Sequence, residues 1–304
     1  MKTVTVSEQD ADIRLDRWFK RHYADLTHGE LQKMLRDKNI KLNGKKARAD
    51  LRVAVGDEIA FPDSLSRAET KENEQEVSQK DAEWLQSMVI YKDRDIIAIN
   101  KPSGLAVQGG GSITRHLDAM LDALSFGMRR PKLVHRLDRN TSGVLLLGRS
   151  AQAASWLAEA FRSRDMHKTY LAVVKGRVKG KTGEINAPLR KVWDKKDEKV
   201  IVDKKDGLPA VTKYEVLAVS DEASLLKLMP ATGRTHQLRV HCQFIGHAIL
   251  GDDKYGGSKA SKLHLHAWEI AIPKGGNEYL RISADLPEYM INTIKSLGFN
   301  GEWK

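Results

Sequence analysis

The stretch Val134-His135-Arg136-Leu137-Asp138-Arg139-Asn140-Thr141-Ser142-Gly143-Val144-Leu145-Leu146-Leu147 sets one carboxylate, Asp138, between two arginines, ahead of a polar turn and an apolar run. The run reads as a strand, and Asn-Thr-Ser-Gly supplies short polar residues suited to a sharp loop. Cations on either side of Asp138 favour its ionised form, because a neighbouring positive charge lowers a carboxylate pKa. On these residues alone two readings stand: a reaction centre, or an aspartate that pins its own loop through an arginine pair.

The chain of 304 residues has room for about two domains and at least one sizeable core. It carries 51 Lys or Arg against 40 Asp or Glu, a formal charge of +11. Such an excess points to a polyanionic partner, since each phosphate neutralised releases counterions and adds sequence-independent affinity. A membrane surface is the other candidate. However, no run of about 18 apolar residues is present to span a bilayer, and Met1-Lys2-Thr3-Val4-Thr5-Val6-Ser7-Glu8 has no apolar signal core. The expectation is a cytoplasmic protein that meets a polyanion and no membrane. Cys242 is the single cysteine, which excludes an intrachain disulfide and a thiolate zinc cluster, and it reads as a small core residue.

Charge divides the chain. Residues 14–52 hold 12 Lys or Arg against 5 Asp or Glu, whereas residues 63–83 hold 3 against 7. The first segment is a basic module and the second an acidic, solvated linker, so the expected domains are 1–62 and 84–304 with a linker at 63–83. Within the module an amphipathic helix over residues 14–23 turns Leu15, Trp18 and Phe19 to a core and Arg14, Arg17 and Arg21 elsewhere. Thr27 and Glu30 form a capping box that opens a second helix running to about residue 38. Ile40-Lys41-Leu42-Asn43-Gly44-Lys45 reads as strand, Asn-Gly turn and strand.

Beyond residue 84 the expected strands are 88–91, 95–99, 144–147, 169–174, 213–219, 224–228 and 280–283, with Pro102 halting the second. Helices are expected at 114–124, 151–164 and 235–245, with Thr114 and Ser150 as cap formers for the first two. Strands and helices do not alternate steadily. That mixed order argues for an α+β fold with a largely antiparallel mixed sheet flanked by helices and loops.

His135-Arg136-Leu137-Asp138, followed by Thr141-Ser142-Gly143 and the apolar strand, resembles the active-site signature of the pseudouridine synthases that act on large-subunit ribosomal RNA and some other RNA uridines. The resemblance covers about residues 13–61 and 88–270. Asn100-Lys101-Pro102-Ser103-Gly104-Leu105-Ala106-Val107 looks like the family's entry motif, which supports the catalytic loop. Lys168-Thr169-Tyr170-Leu171 places the tyrosine that in this family stacks on the target base. Gly233-Arg234-Thr235-His236-Gln237-Leu238-Arg239-Val240-His241 looks like the third motif. The resemblance implies Asp138, Tyr170 and Arg239 as catalytic residues, with Arg239 as the partner that keeps Asp138 charged, since a guanidinium always carries its charge. It implies Arg136, Arg234 and Leu265 as substrate-binding residues: Arg136 fills the space of a flipped base, Arg234 lies towards the RNA backbone, and Leu265 excludes water below the base. The first 62 residues resemble an S-four-type RNA-binding domain, with Arg14, Arg17, Lys33, Arg36, Lys38, Lys41, Lys45 and Lys46 as the implied RNA contacts; taken singly, each is as well read as part of a solvated face.

The implied reaction breaks the uracil N1–ribose bond, turns the base and rejoins it through C5, without cofactor or metal. The implied partner is RNA, with large-subunit rRNA or a pre-ribosomal particle as the expected substrate, and the enzyme is expected to be a monomer. His236, His241 and His247 lie close in sequence, but positions five apart on a helix diverge by roughly 140°, which argues against a metal site. Gly109-Gly110-Gly111 lacks the Lys and Ser or Thr of a phosphate loop and reads as a flexible turn. Two other functions remain at this stage: a ribosome-assembly RNA-binding protein without catalysis, and a retaining glycosidase pairing Asp138 with Asp252 or Asp253 about 5 Å away.

Overall fold

The computed structural model describes residues 1–23, 26–63, 65, 77–109, 115–194, 197–257, 262–276 and 278–301. The chain divides into two compact units, Met1–Glu76 and Val77–Lys304. The boundary falls inside the acidic stretch, of which residues 66–76 lie outside the described residues.

The first unit holds strands β1 (Lys2–Thr5), β2 (Ile13–Arg14), β3 (Lys41–Leu42), β4 (Lys45–Lys46), β5 (Arg52–Val53) and β6 (Glu58–Phe61), with helices α1 (Leu15–His22) and α2 (His28–Arg36). β1, β6, β3 and β4 form one antiparallel sheet in that order, and β2 pairs with β5. Leu15, Trp18 and Phe19 of α1 are buried with Tyr23, Ile40, Ile59 and Phe61, as the helical spacing requires. The capping box forms: the Thr27 hydroxyl accepts from the Glu30 amide, and the Glu30 carboxylate accepts from the Thr27 amide at 2.9 Å. The helix stops at Arg36, short of residue 38, because Lys38 takes a left-handed conformation (φ 60°) that no helix continues. Asn43 and Gly44 both have positive φ (50° and 74°), the requirement of a tight hairpin turn.

The second unit holds β7 (Val89–Lys92), β8 (Ile96–Lys101), β9 (Lys132–Leu133), β10 (Ser142–Gly148), β11 (His167–Lys175), β12 (Thr182–Asn186), β13 (Leu189–Asp194), β14 (Asp197–Val202), β15 (Val211–Val219), β16 (Ala223–Pro230), β17 (Leu265–Gly275) and β18 (Glu278–Ser283). Its helices are α3 (Gln79–Gln86), α4 (Leu117–Met120), α5 (Ala151–Ser163), α6 (Gln237–Phe244) and α7 (Glu288–Ser296). One large sheet runs β12-β15-β16-β11-β17-β10-β8-β7, with β18 added to β17 and β9 to β10, while β13 and β14 form a separate hairpin. Within the large sheet β10 and β17 run parallel and the other pairs antiparallel, so the α+β expectation is met.

β10 is buried along its whole length. Leu145 and Leu147 pack with Ile97, Ile99, Leu85 and Leu117 on one side, and Val144 and Leu146 pack with Ile96, Leu157 and Ala160 on the other. A strand covered on both faces reads as a continuous apolar run, which is why residues 144–147 show no alternation.

Several elements differ from expectation. α3 occupies the end of the expected linker. The helix expected from residue 114 begins at Leu117, where the His116 Nδ1 accepts from the Ala119 amide at 3.2 Å, and Thr114 lies outside the described residues, as do Gly110 and Gly111. Ser150 caps α5 as expected. Strands β12, β13, β14 and β17 and helix α7 were not expected.

Candidate active site

Asp138 lies in the loop between β9 and β10, and the turn after β8 anchors that loop. Lys101, the last residue of β8, is wholly buried. Its Nζ donates to the carbonyls of Pro102 (2.9 Å), Leu105 (2.9 Å) and Arg139 (3.1 Å). The Ser103 hydroxyl donates to the Asn140 carbonyl at 2.8 Å, and the Gly104 amide donates to the Arg139 carbonyl at 2.8 Å. Three acceptors suit an ammonium's three donors, while burial pushes the Lys101 pKa down to about 7 against the opposing pull of Asp138.

The turn itself is shorter than expected. Ser142 and Gly143 belong to β10: the Ser142 hydroxyl meets His266 Nδ1 at 2.9 Å, and Gly143 sits at φ 110°. A Cβ on Gly143 would stand 2.2 Å from the Ala267 carbonyl oxygen across the parallel pair, so glycine permits the two strands to approach. The register Ser142↔His266 brings the start of β10 beside the start of β17. The Asp138 loop is thereby delivered next to Leu265, the first residue of β17.

Tyr170 lies on β11, opposite Ala267, while Leu265 lies opposite Ala172. Two residues apart in register, Tyr170 and Leu265 share one face of the sheet. Both line a cavity of about 540 Å³ together with Asp138, Arg136, Arg234 and Arg239. Every catalytic and substrate-binding candidate read from the sequence is therefore at one cavity, whose size suits a nucleotide-sized ligand. Arg162, Arg164 and Lys168 add further cations to the lining, and Asp138 is the carboxylate among the lining residues. Burial raises the Tyr170 pKa and the Asp138 charge raises it further, so Tyr170 is held as a neutral phenol.

Arg239 requires a correction. It projects from α6 as a buried cation, but its fork is bidentate to Asp252, Nε–Oδ2 2.8 Å and Nη2–Oδ1 2.7 Å. Asp138 Oδ2 stands farther off, 3.9 Å from Nη1. The Asp252 side chain has 0% exposure, and although burial acts to lower the Arg239 pKa, the pairing with Asp252 and the Asp138 charge raise it. Arg239 is thus Asp252's partner first and Asp138's second. With both Asp252 oxygens engaged by Arg239, the glycosidase reading loses Asp252 as its second carboxylate.

His236 Nε2 lies 3.7 Å from Asp138 Oδ2, nearer than Arg239. The neighbouring histidines face elsewhere: His241 meets Thr212 Oγ1 and the Ala187 carbonyl, and His247 meets the Lys175 carbonyl. Cys242 is buried in the core, where burial pushes its thiol pKa up to about 12.

Residues 95–244 match the family described as RNA pseudouridylate synthase. The chain is 37% identical over 293 residues to the ribosomal large subunit pseudouridine synthase C of Rickettsia prowazekii (strain Madrid E), covering 93% of this chain and 96% of that one. It is 32% identical over 309 residues to the enzyme of the same name from Escherichia coli (strain K12), covering 98% and 97%. The chain belongs to the RNA pseudouridylate synthase family. Among solved structures, human RNA pseudouridylate synthase domain containing 4 superposes with a TM-score of 0.61 at 28% identity, over 71% of this chain and 95% of that one.

In this RNA pseudouridine synthase the site also holds residues that sequence reading left aside. Asp252 was weighed only as a glycosidase carboxylate, and Lys101 only as part of a supporting motif. His236 was weighed only as a metal ligand. No local signal marks these residues, since burial and pairing across distant segments define them. The one cue is the Gly251-Asp252-Asp253-Lys254-Tyr255-Gly256 run, whose glycines flank a tight turn.

Proposed function

We propose that this synthase converts uridines of large-subunit ribosomal RNA to pseudouridine, with Asp138 as the acting carboxylate. The observation that carries the reading is the single cavity in which Asp138, Tyr170, Arg239 and Leu265, drawn from separate segments, come together. The N1–C1′ bond of uridine breaks, the base turns, C5 bonds to C1′, and the C5 proton departs while N1 gains one. Attack on C1′, attack on C6 and removal of the C2′ proton all begin from the ionised carboxylate.

The target base must leave its stack, at a cost of a few kcal/mol in paired RNA. Arg136, exposed at the cavity's rim, fills the vacated place, and Arg234 holds backbone phosphate. Tyr170, kept as a phenol, acts through its ring face and hydroxyl and not as a phenolate base. Leu265, 3% exposed, forms an apolar wall that keeps water from the detached uracil. In the first unit Arg14, Arg17, Lys33, Arg36, Lys38, Lys41, Lys45 and Lys46 are all exposed, which supports an S-four-type module anchored on phosphates. The reading includes an enzyme that acts as a monomer in the cytoplasm.

Mapping pseudouridines in rRNA from cells lacking the gene tests the substrate. Loss of sites in large-subunit rRNA is expected, and loss confined to other RNAs overturns it. Replacing Lys33, Arg36, Lys41 and Lys45 by Gln should lower the slope of log binding constant against log salt by roughly 0.7 to 0.9 per lost phosphate contact; an unchanged slope removes the module as anchor.

A further inference from the structure

His236 occupies a conformation that side chains rarely adopt. It forms the N-cap of α6 at φ 53°, in the left-handed region, and makes no side-chain capping bond. A residue held there by its surroundings and placed at a reaction centre invites a functional reading. Its side chain bridges two groups. Nε2 faces Asp138 Oδ2 at 3.7 Å, and Nδ1 meets the Tyr255 hydroxyl at 2.8 Å. Tyr255 is itself fixed: its oxygen accepts from the Val200 amide on β14 at 3.1 Å, and its ring packs with Leu189, Val200, Ala210 and Val240.

The proton positions follow from the neighbours. A carboxylate only accepts, so the nitrogen facing Asp138 must carry hydrogen for the contact to be attractive. In a neutral imidazole Nδ1 then has a lone pair, and the Tyr255 O–H, with the Val200 amide already directed at its oxygen, is free to donate to it. We propose that His236 is a positioning residue for Asp138: as a neutral imidazole it presents Nε2–H to the carboxylate, and the Tyr255 hydroxyl fixes that tautomer. The hairpin β13–β14 is thereby tied to the orientation of the carboxylate through one amide and one phenol. Burial lowers the His236 pKa, as do the Arg239 and Lys254 charges, while Asp138 and Asp252 act in the opposite sense; the neutral form is the one that prevails at neutral pH. Lys191, Glu198 and Lys199 of the hairpin line a neighbouring hollow that His236, Asp138, Asp253 and Lys254 share.

The proposal rests on Asp138 being the acting carboxylate, and the experiment separates the two. Tritium release from C5-labelled rRNA would be measured for His236→Gly, His236→Gln, Tyr255→Phe and Asp138→Asn, with RNA affinity measured alongside. Glycine accepts φ 53° without strain, so His236→Gly removes the imidazole and spares the backbone. Its kcat is expected to fall roughly 10- to 100-fold, the scale of a reacting group misplaced by about 1 Å, with RNA affinity unchanged. His236→Gln, whose amide N–H reaches the Nε2 position, should regain most of the loss.

Tyr255→Phe gives the signature that a structural role would not produce. Without the phenol the neutral ring can place its proton on Nδ1 and turn a lone pair to Asp138. The protonated ring carries hydrogen on both nitrogens, so the defect relative to wild type should shrink as pH falls below the ordinary imidazole pKa of about 6.5, since the His236 pKa is lowered. A wild-type kcat in His236→Gly beside an inactive Asp138→Asn overturns this proposal alone, as does a Tyr255→Phe defect that is constant with pH. Full activity in Asp138→Asn overturns the catalytic reading beneath it.

Discussion

At the scale of single residues the site depends on a buried ion pair that the motif does not reveal. Arg239 donates two hydrogen bonds to Asp252 in a buried pair, and removing one partner of such a pair leaves the other charge buried and uncompensated. Asp252→Asn should therefore destabilise the fold by roughly 3 kcal/mol and release Arg239 from its place near Asp138. Urea unfolding measures the first effect and tritium release the second; a variant as stable and active as wild type would contradict the pairing. Asp138, Tyr170 and Arg239 were legible because each sits in a motif whose order of residues is distinctive. The pairing of Arg239 was not, because Asp252 lies 13 positions away and no local pattern shows which carboxylate its fork meets.

At the scale of elements the parallel contact between β10 and β17 positions the Asp138 loop. Gly143→Ala places a methyl against the Ala267 carbonyl, at a φ of 110° that only glycine adopts readily. The expected cost is at least about 2 kcal/mol, seen as a lowered melting temperature, with a larger loss of activity than of RNA binding. An unaffected melting temperature would show that the strands have room to part. β10 was readable from its apolar run and α2 from its capping box. β17 was not, because the chain that leads into it and opens it, Leu263-His264-Leu265-His266, alternates apolar with polar residues that are all buried. His264 is satisfied by Thr293 and the Lys262 carbonyl, and His266 by Ser142 and the Ala284 carbonyl. Sequence alternation suggests one wet face; here tertiary hydrogen bonds replace the water.

At the scale of the molecule, buried neutral histidines set the response to acid. Burial lowers His266 to about 4 and His135 to about 3; His135 Nε2 accepts from the Leu146 amide at 2.9 Å, which protonation would abolish. Unfolded histidines titrate near 6.5, so between about 6.5 and 4 the unfolded chain binds more protons than the folded one. Stability should fall as pH drops through that window, by up to about 1.4 kcal/mol per pH unit for each histidine. Urea unfolding at pH 7 and pH 5 measures this, and a curve that is flat from 7 to 5 contradicts it.

The charge division sets a basic module against an acidic stretch at residues 63–83, and the two compact units divide between Glu76 and Val77. It could not reveal α3, whose Ser78 cap and amphipathic turn lie at the edge of the same polar run. The central claim concerns Asp138 within the whole assembled cavity. Its most direct test is tritium release from C5-labelled, unmodified large-subunit rRNA by the wild-type protein and by Asp138→Asn. Stoichiometric release by wild type, with none from a variant that still binds the RNA, is the expected result; release by Asp138→Asn at the wild-type rate would contradict it.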